Sequence, residues 1–173
     1  MSLALRNIVF TLVVPGAGAV YAPWWILRQS GPTPEPVAWY AGIVIVAGVT
    51  LYVACLLMFA RVGRGTPGPW DPPRQFVAVG PYRWVRNPIY IAALLVMLGE
   101  AWLFVSGPLV LYAVAAAAGC HLFVVGYEEP HLRSRFGAEY AAYYAAVSRW
   151  IPRPPGAPAW RSQWAVFDHL RKA

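Results

Sequence analysis

Charge is scarce in this chain. Of 173 residues only 12% are charged, and the seven Asp and Glu are outnumbered by fourteen Lys and Arg. Soluble domains carry about 25% charged residues, so a water-soluble globule is excluded as the first reading. Cysteine is also sparse. Cys55 and Cys120 both sit in apolar runs without metal or redox spacing, which excludes a disulfide scaffold and leaves them as small buried hydrophobes. None of the three histidines stands at metal-ligand spacing from Cys, Asp or Glu. His169 is near-surface and uninformative, and His121 reads as a packing or hydrogen-bonding residue. A dinucleotide fingerprint is missing too, because the "GRG" at 63–65 follows no strand. No internal repeat appears, and no shift in composition divides the chain, so it reads as a single domain over 1–173.

What the chain does have is apolar length. It is 59% hydrophobic with a mean hydropathy of +0.48, and nine Trp and ten Tyr suit the belts at a membrane–water interface. A spanning helix needs about 20 apolar residues. Segments 8–27, 37–60, 89–105 and 108–127 meet or approach that length. The first also resembles a leader peptide, with Arg6 ahead of it and "AGAVYAP" inside it. Trp24, Trp25 and Ile26 continue the apolar run past any cleavage point, so it reads as a span. Pro15 and Gly16 are expected to kink it.

The basic residues set an orientation. Arg6 precedes the first span, five arginines occupy 61–88, and seven Arg and Lys follow the fourth span. Placing both termini in the cytoplasm puts every one of the 14 basic residues except Arg28 inside. The net charge of +7 is then a topology signal with some attraction to anionic lipid, and nucleic acid is not implied. The expected fold is an all-α integral membrane protein. It is a bundle of four transmembrane helices, five if the first segment breaks at Pro15 into a re-entrant pair, with a cytoplasmic interfacial helix and tail. For a bacterial chain the place is the inner membrane.

Between the second and third spans, "GRGTPGPWDPP" is too rich in Gly and Pro for regular helix and predicts an ordered surface loop. After the fourth span, Leu132, Phe136, Tyr140, Tyr143, Tyr144 and Val147 recur at spacings of three and four. That predicts an interfacial helix at 130–148. "IPRPPGAP" stops it, and Trp160, Trp164, Phe167 and Leu170 repeat the spacing in the tail beside Arg161, Arg171 and Lys172.

Chemistry concentrates at one membrane face. "GPYRWVRNPIY" at 80–90 brings Arg86, Asn87, Pro88 and Tyr90 to the start of the third span. Glu128 and Glu129 end the fourth span at that same face. Two acids at a helix C-terminus oppose the helix dipole, so they should answer a positive partner, either loop arginines or a cationic ligand. Glu100 lies eleven residues past Ile89, about 16 Å into the span. An acid at that depth is either functional or protonated and bonded to a neighbouring helix.

"GPYRWVRNPIY" followed by a span, then a second span ending in "YEEPHLRSRFGAEYAAYYAAVSRWIPR", resembles the isoprenylcysteine carboxyl methyltransferase and phospholipid N-methyltransferase superfamily of small integral membrane enzymes. The likeness covers residues 76–153, the motif-bearing half, with both blocks in order and one helical hairpin between them. It implies S-adenosylmethionine as cofactor. It points to Phe76, Val77, Tyr82, Asn87, Pro88, Ile89, Tyr90 and Glu128 as cofactor-binding, and to Arg86, Glu129 and His131 as catalytic. A ligand bearing a sulfonium and an ammonium suits carboxylates and aromatic faces. Eukaryotic isoprenylcysteine enzymes carry an arginine four residues before the first Glu of the pair, where this chain has Val124. The "FGAEYAAYYAAVSRWIP" block is closer to that branch, whereas "NPIY" and "YEEP" are closer to the phospholipid enzymes.

The expected function is therefore methyl transfer to a lipid or lipid-linked acceptor at the cytoplasmic face, leaning to a phospholipid amine. Carboxyl methylation of an isoprenylcysteine-like substrate is the alternative. A non-catalytic sensor or a transporter-like bundle built around Glu100 are readings from other classes.

Overall fold

The computed structural model describes residues 2–30, 38–68, 71 and 73–152. The expected tail helix with Trp160, Trp164, Phe167 and Leu170, together with Arg153 and His169, lies outside the described residues. Those described form helices, turns and loops, with no strand among them.

Helix α1 (Leu3–Val13) continues through a π turn at Ala17–Tyr21 into α2 (Ala22–Gln29), making one rod of 27 residues. Pro15 removes an amide donor from this rod. Gly16 and the wider π turn that follow absorb it without ending the helix, so the segment passes once. Helix α3 (Ala41–Met58) likewise ends in a π turn, Phe59–Gly63, and Arg64 stops it in the left-handed region at φ 53°. Helix α4 (Pro88–Leu103) opens on proline, which needs no amide partner at a first helical position. Its 16 residues span about 24 Å, short of the roughly 30 Å of hydrocarbon. Thus three runs are long and apolar enough to cross a membrane, and α4 is a shorter apolar fourth.

The third long run joins α5 (Gly107–Phe123), a π turn at Val124–Glu128 and α6 (Glu129–Ala146) into 40 helical residues. That is about 60 Å, twice a bilayer's hydrocarbon thickness, so α6 must stand out of the apolar layer. It bends at Gly137, where φ 49° and ψ −121° suit only glycine. The predicted stripe exists, and its partner is the chain itself. All six of its residues pack on Val62, Phe76, Ala78 and Val79, so the helix covers the 61–88 loop. Phe76 is the hub, with ring centroids 5.2 Å from Phe136, 5.8 Å from Tyr140 and 5.0 Å from Tyr143.

Antiparallel α3 and α4 pack through small residues. A methyl at Gly48 would sit 2.8 Å from the Ala92 carbonyl oxygen, and one at Gly99 would sit 2.6 Å from Ile45 Cγ1. Only glycine allows that approach, as in helix pairs within lipid. The α1–α2 rod closes the bundle. Thr11 and Tyr52 share a 2.7 Å hydroxyl hydrogen bond, and Tyr112 donates to the Gly18 carbonyl at 2.7 Å. Met97 and Ala113 bury Ala19, and Ala101 and Leu109 bury Leu27. At one end of the bundle α4 turns into α5 through a three-residue link beside the edge-on rings of Trp39, Tyr40 and Trp102. At the other end lie Arg6 paired with Asp71 at 2.8 Å, the 61–88 loop, the start of α4 and the end of α5.

Candidate functional site

The loop reaches α4 through a 3-10 turn at Gly80–Arg83. Gly80 takes φ 57°, with Met58 packed where a side chain would be. Tyr82 then turns inward onto Cys55 and Val77, its ring edge-on to Phe59 at 5.6 Å. Burial, reinforced by the Cys55 thiol and the Glu128 carboxylate, pushes the Tyr82 hydroxyl well above the ordinary phenol range. It stays protonated, packed against Cys55. The Tyr143 hydroxyl donates to the Tyr82 carbonyl at 2.7 Å, fixing the turn to α6.

Asn87 precedes a proline and is kept out of helical geometry, at φ −121° and ψ 51°. That aims its side chain away from α4, and its Nδ2 donates to the Arg149 carbonyl at 3.2 Å. Arg86 is tied to the same segment. Its backbone N–H donates to the Ser148 carbonyl at 2.8 Å, its Nη1 to the Tyr144 carbonyl at 3.1 Å, and its guanidinium lies over the Tyr144 ring at 3.8 Å. The segment after α6 therefore straps across the start of α4.

The π turn at Val124–Glu128 places the acid pair. Its extra residue, closed by the Glu129 N–H on the Val124 carbonyl, rotates the following residues about the axis relative to α5. Glu129 points into the protein and is 8% exposed. Arg149 grips both its oxygens, Nε at 2.8 Å and Nη2 at 2.9 Å, and Arg86 Nη2 adds a third contact at 3.2 Å. Both oxygens of that carboxylate face an arginine. Glu128 differs sharply from its neighbour. Its Oε2 accepts from the Tyr90 hydroxyl at 2.7 Å, and among the described residues it has no ion-pair partner. The arginines thus answer one acid of the pair and leave the other open.

The residues singled out in the sequence fall into two sets. Tyr90 and Glu128 bond to each other, with Ile89 half-buried beside Tyr90. Phe76, Val77, Tyr82, Asn87 and Pro88 have buried side chains beneath them, in the layer between loop, α3 and α6. Arg86 and Glu129 meet in the arginine–carboxylate cluster. His131 is exposed, its ring stacked on Tyr127 at 5.8 Å, one turn past the acid pair. Glu100 lies toward the far end of α4 and meets none of these, and its buried Oε2 has no hydrogen-bond partner. An apolar cleft of about 270 Å³ opens on another side of α4, among Leu51, Pro81, Trp84, Pro88, Ile91 and Pro152, and does not contain Glu128.

Two residues at the site escaped the sequence reading. Arg149 grips Glu129. Trp150 donates its indole N–H to His121 Nδ1 at 3.1 Å and stands edge-on to Tyr90 at 6.4 Å. His121, read as a packing or hydrogen-bonding residue, accepts that bond and is exposed on α5. Neither Arg149 nor Trp150 belongs to a periodic stripe, and the strap that brings them back has no local pattern.

Residues 37–139 match the phospholipid methyltransferase family. The chain belongs to that family. The match covers well over half of the chain and includes α3, the loop, α4, the acid pair and most of α6. No curated protein and no solved structure matches the chain. Family and apolar helices together make it an integral membrane methyltransferase.

Proposed function

We propose that this chain uses S-adenosylmethionine to methylate a lipid amine headgroup at the cytoplasmic face of the membrane. The observation that carries this reading is the asymmetry of the acid pair. Glu129 is held by Arg86 and Arg149, whereas Glu128, bonded to the Tyr90 hydroxyl, has no cation beside it among the described residues. A half-buried carboxylate without a cation is costly unless a ligand brings one. A sulfonium or an ammonium supplies it, and the adjoining Tyr90 ring suits either. The distribution of basic residues puts this end of the bundle in the cytoplasm.

On this reading Tyr90 and Glu128 hold the cationic side of the cofactor, and Asn87, Pro88 and Ile89 shape the edge of its site. Phe76, Val77 and Tyr82 form the packed floor. S-adenosylmethionine, when bound, supplies a methyl group on a sulfonium, open to in-line displacement. The chain's own work is alignment and proton removal. An amine headgroup is an ammonium at neutral pH and must lose a proton before its nitrogen can attack. The second oxygen of Glu128 accepts that proton, and exposed His131, one turn on, passes it to water. Arg86 and Glu129 act by position, fixing the start of α4 to α6.

A carboxylate acceptor fits less well. It would need a positive anchor, and Val124, where an arginine would stand, is 1% exposed and packed inside. The test is transfer of labelled methyl into vesicles containing either phosphatidylethanolamine or a prenylated cysteine. The account expects label in the amine lipid and loss of at least about tenfold in rate for Glu128→Gln. Label confined to the prenylated carboxyl would overturn the choice of acceptor, and full activity in Glu128→Gln would overturn the role of that acid.

A further inference from the structure

Beside Glu128, the seam between α4 and α5 is lined by rings. Trp150, carried back by the strap, stands between Tyr90 on α4 and His121 on α5, with centroids 6.4 Å and 6.2 Å away. Tyr90 holds Glu128 at 2.7 Å. His121 is seven residues before Glu128, about 10 Å nearer the bundle centre along the axis. It is exposed on a helix whose other outward residues, Leu122 among them, are apolar. An imidazole on such a surface is costly unless something polar meets it.

Its hydrogen bond defines what it can offer. Nδ1 accepts from the Trp150 indole, so in the neutral ring the proton is on Nε2. Nε2 has no partner among the described residues and is a donor on an exposed ring. The seam thus presents a carboxylate and two aromatic rings at its outer end and an N–H donor deeper in. That order matches a phospholipid headgroup entering sideways from the bilayer, with its terminal ammonium leading and its phosphodiester behind.

We infer that Trp150 and His121 form the headgroup wall of the acceptor site. The ammonium lies against the Trp150 face and Glu128, and a phosphate oxygen accepts from His121 Nε2. This deepens the proposed function and rests on it only for the identity of the reaction, because the wall itself is a lipid-binding site. Trp150 touches the acceptor, and through its indole N–H it also positions His121.

The wall is tested by binding, separately from turnover. The full-length protein in nanodiscs of equimolar phosphatidylethanolamine and phosphatidylglycerol is released for native mass spectrometry, and the retained lipids are counted. Wild type should retain the amine lipid preferentially. Trp150→Ala should lose that preference by about tenfold, as expected for a desolvated cation–π contact, whereas His121→Ala, which removes a donor to the phosphodiester that both lipids carry, should lower retention of both and leave their ratio unchanged. Trp150→Phe, which keeps a ring face, should recover part of it. S-adenosylhomocysteine affinity should stay within about twofold in all three, since the wall does not hold the cofactor. Where transfer is measured, the KM for the amine lipid should rise while kcat changes little. No headgroup preference in the wild type would overturn the inference and leave the methyltransferase reading standing. Equal loss of cofactor affinity in Trp150→Ala and Trp150→Phe would overturn it too, showing that Trp150 merely props the strap. Amine preference without any cofactor binding would support the wall and remove the proposed reaction.

Discussion

The two ends of this bundle are held together by different physics. At the α4–α5 turn the contacts are small residues and rings: Gly99 against Ile45, and Trp39, Tyr40 and Trp102 edge to face. At the other end a loop, a strap and two helix termini are joined by arginines, a carboxylate and directed hydrogen bonds. Apolar contact tolerates adjustment, and its loss scales with volume. A buried ionic cluster is all or nothing, because removing one member strands the others without solvent. The polar end also carries Glu128, which has no ion-pair partner among the described residues. The difference teaches that the second arginine on Glu129 is structural, and that Glu128 is the acid with chemistry to spare.

Substitutions can break this contrast, and the largest effect belongs to the cluster. Glu129→Gln leaves Arg86, only 8% exposed in its side chain, without its counter-ion, and should cost about 3–5 kcal/mol. Thermal melting in detergent checks this; a shift of only a degree or two would mean that water already screens the cluster. Next comes Gly48→Val at the α3–α4 contact, where even the first added carbon would meet a backbone oxygen at 2.8 Å. The expected cost is about 3 kcal/mol. It should lower the melting temperature while leaving cofactor affinity per folded molecule unchanged, and a change in that affinity would show that the two parts are not independent. The smallest effect is a gain. Val105 is β-branched, 69% exposed and held at φ 48° in the α4–α5 turn. Val105→Gly should therefore stabilise by about 1 kcal/mol, read as a raised melting temperature with unchanged turnover.

How much of this was legible in the sequence depends on the range of the interaction. Helical periodicity announced the stripe from Leu132 to Val147 residue by residue, but not that its partner would be the 61–88 loop. Amphipathicity reports an apolar face and is silent on what covers it. The meeting of Tyr90 with Glu128 followed from topology, since one helix begins where the other ends. Helix α4 proved shorter than a full span because Trp102 and Leu103 already lie at its end, and Phe104 leaves helical geometry. That the first rod passes Pro15 as one span followed from its apolar run, but the π turn at Ala17–Tyr21 leaves no mark in residue type. Arg149 and Trp150 were hidden for a plainer reason: a strap that returns across a helix start has no period to detect.

The most direct measurement is calorimetric titration of S-adenosylhomocysteine into the purified protein, with Glu128→Gln and Glu129→Gln beside it and melting curves for all three. The account predicts that Glu128→Gln melts like the wild type, within about 1 kcal/mol, and loses at least about tenfold in affinity. It predicts that Glu129→Gln loses stability first and that its folded fraction still binds. Binding that survives in Glu128→Gln, or disappears in folded Glu129→Gln, would contradict the division of labour between the two acids.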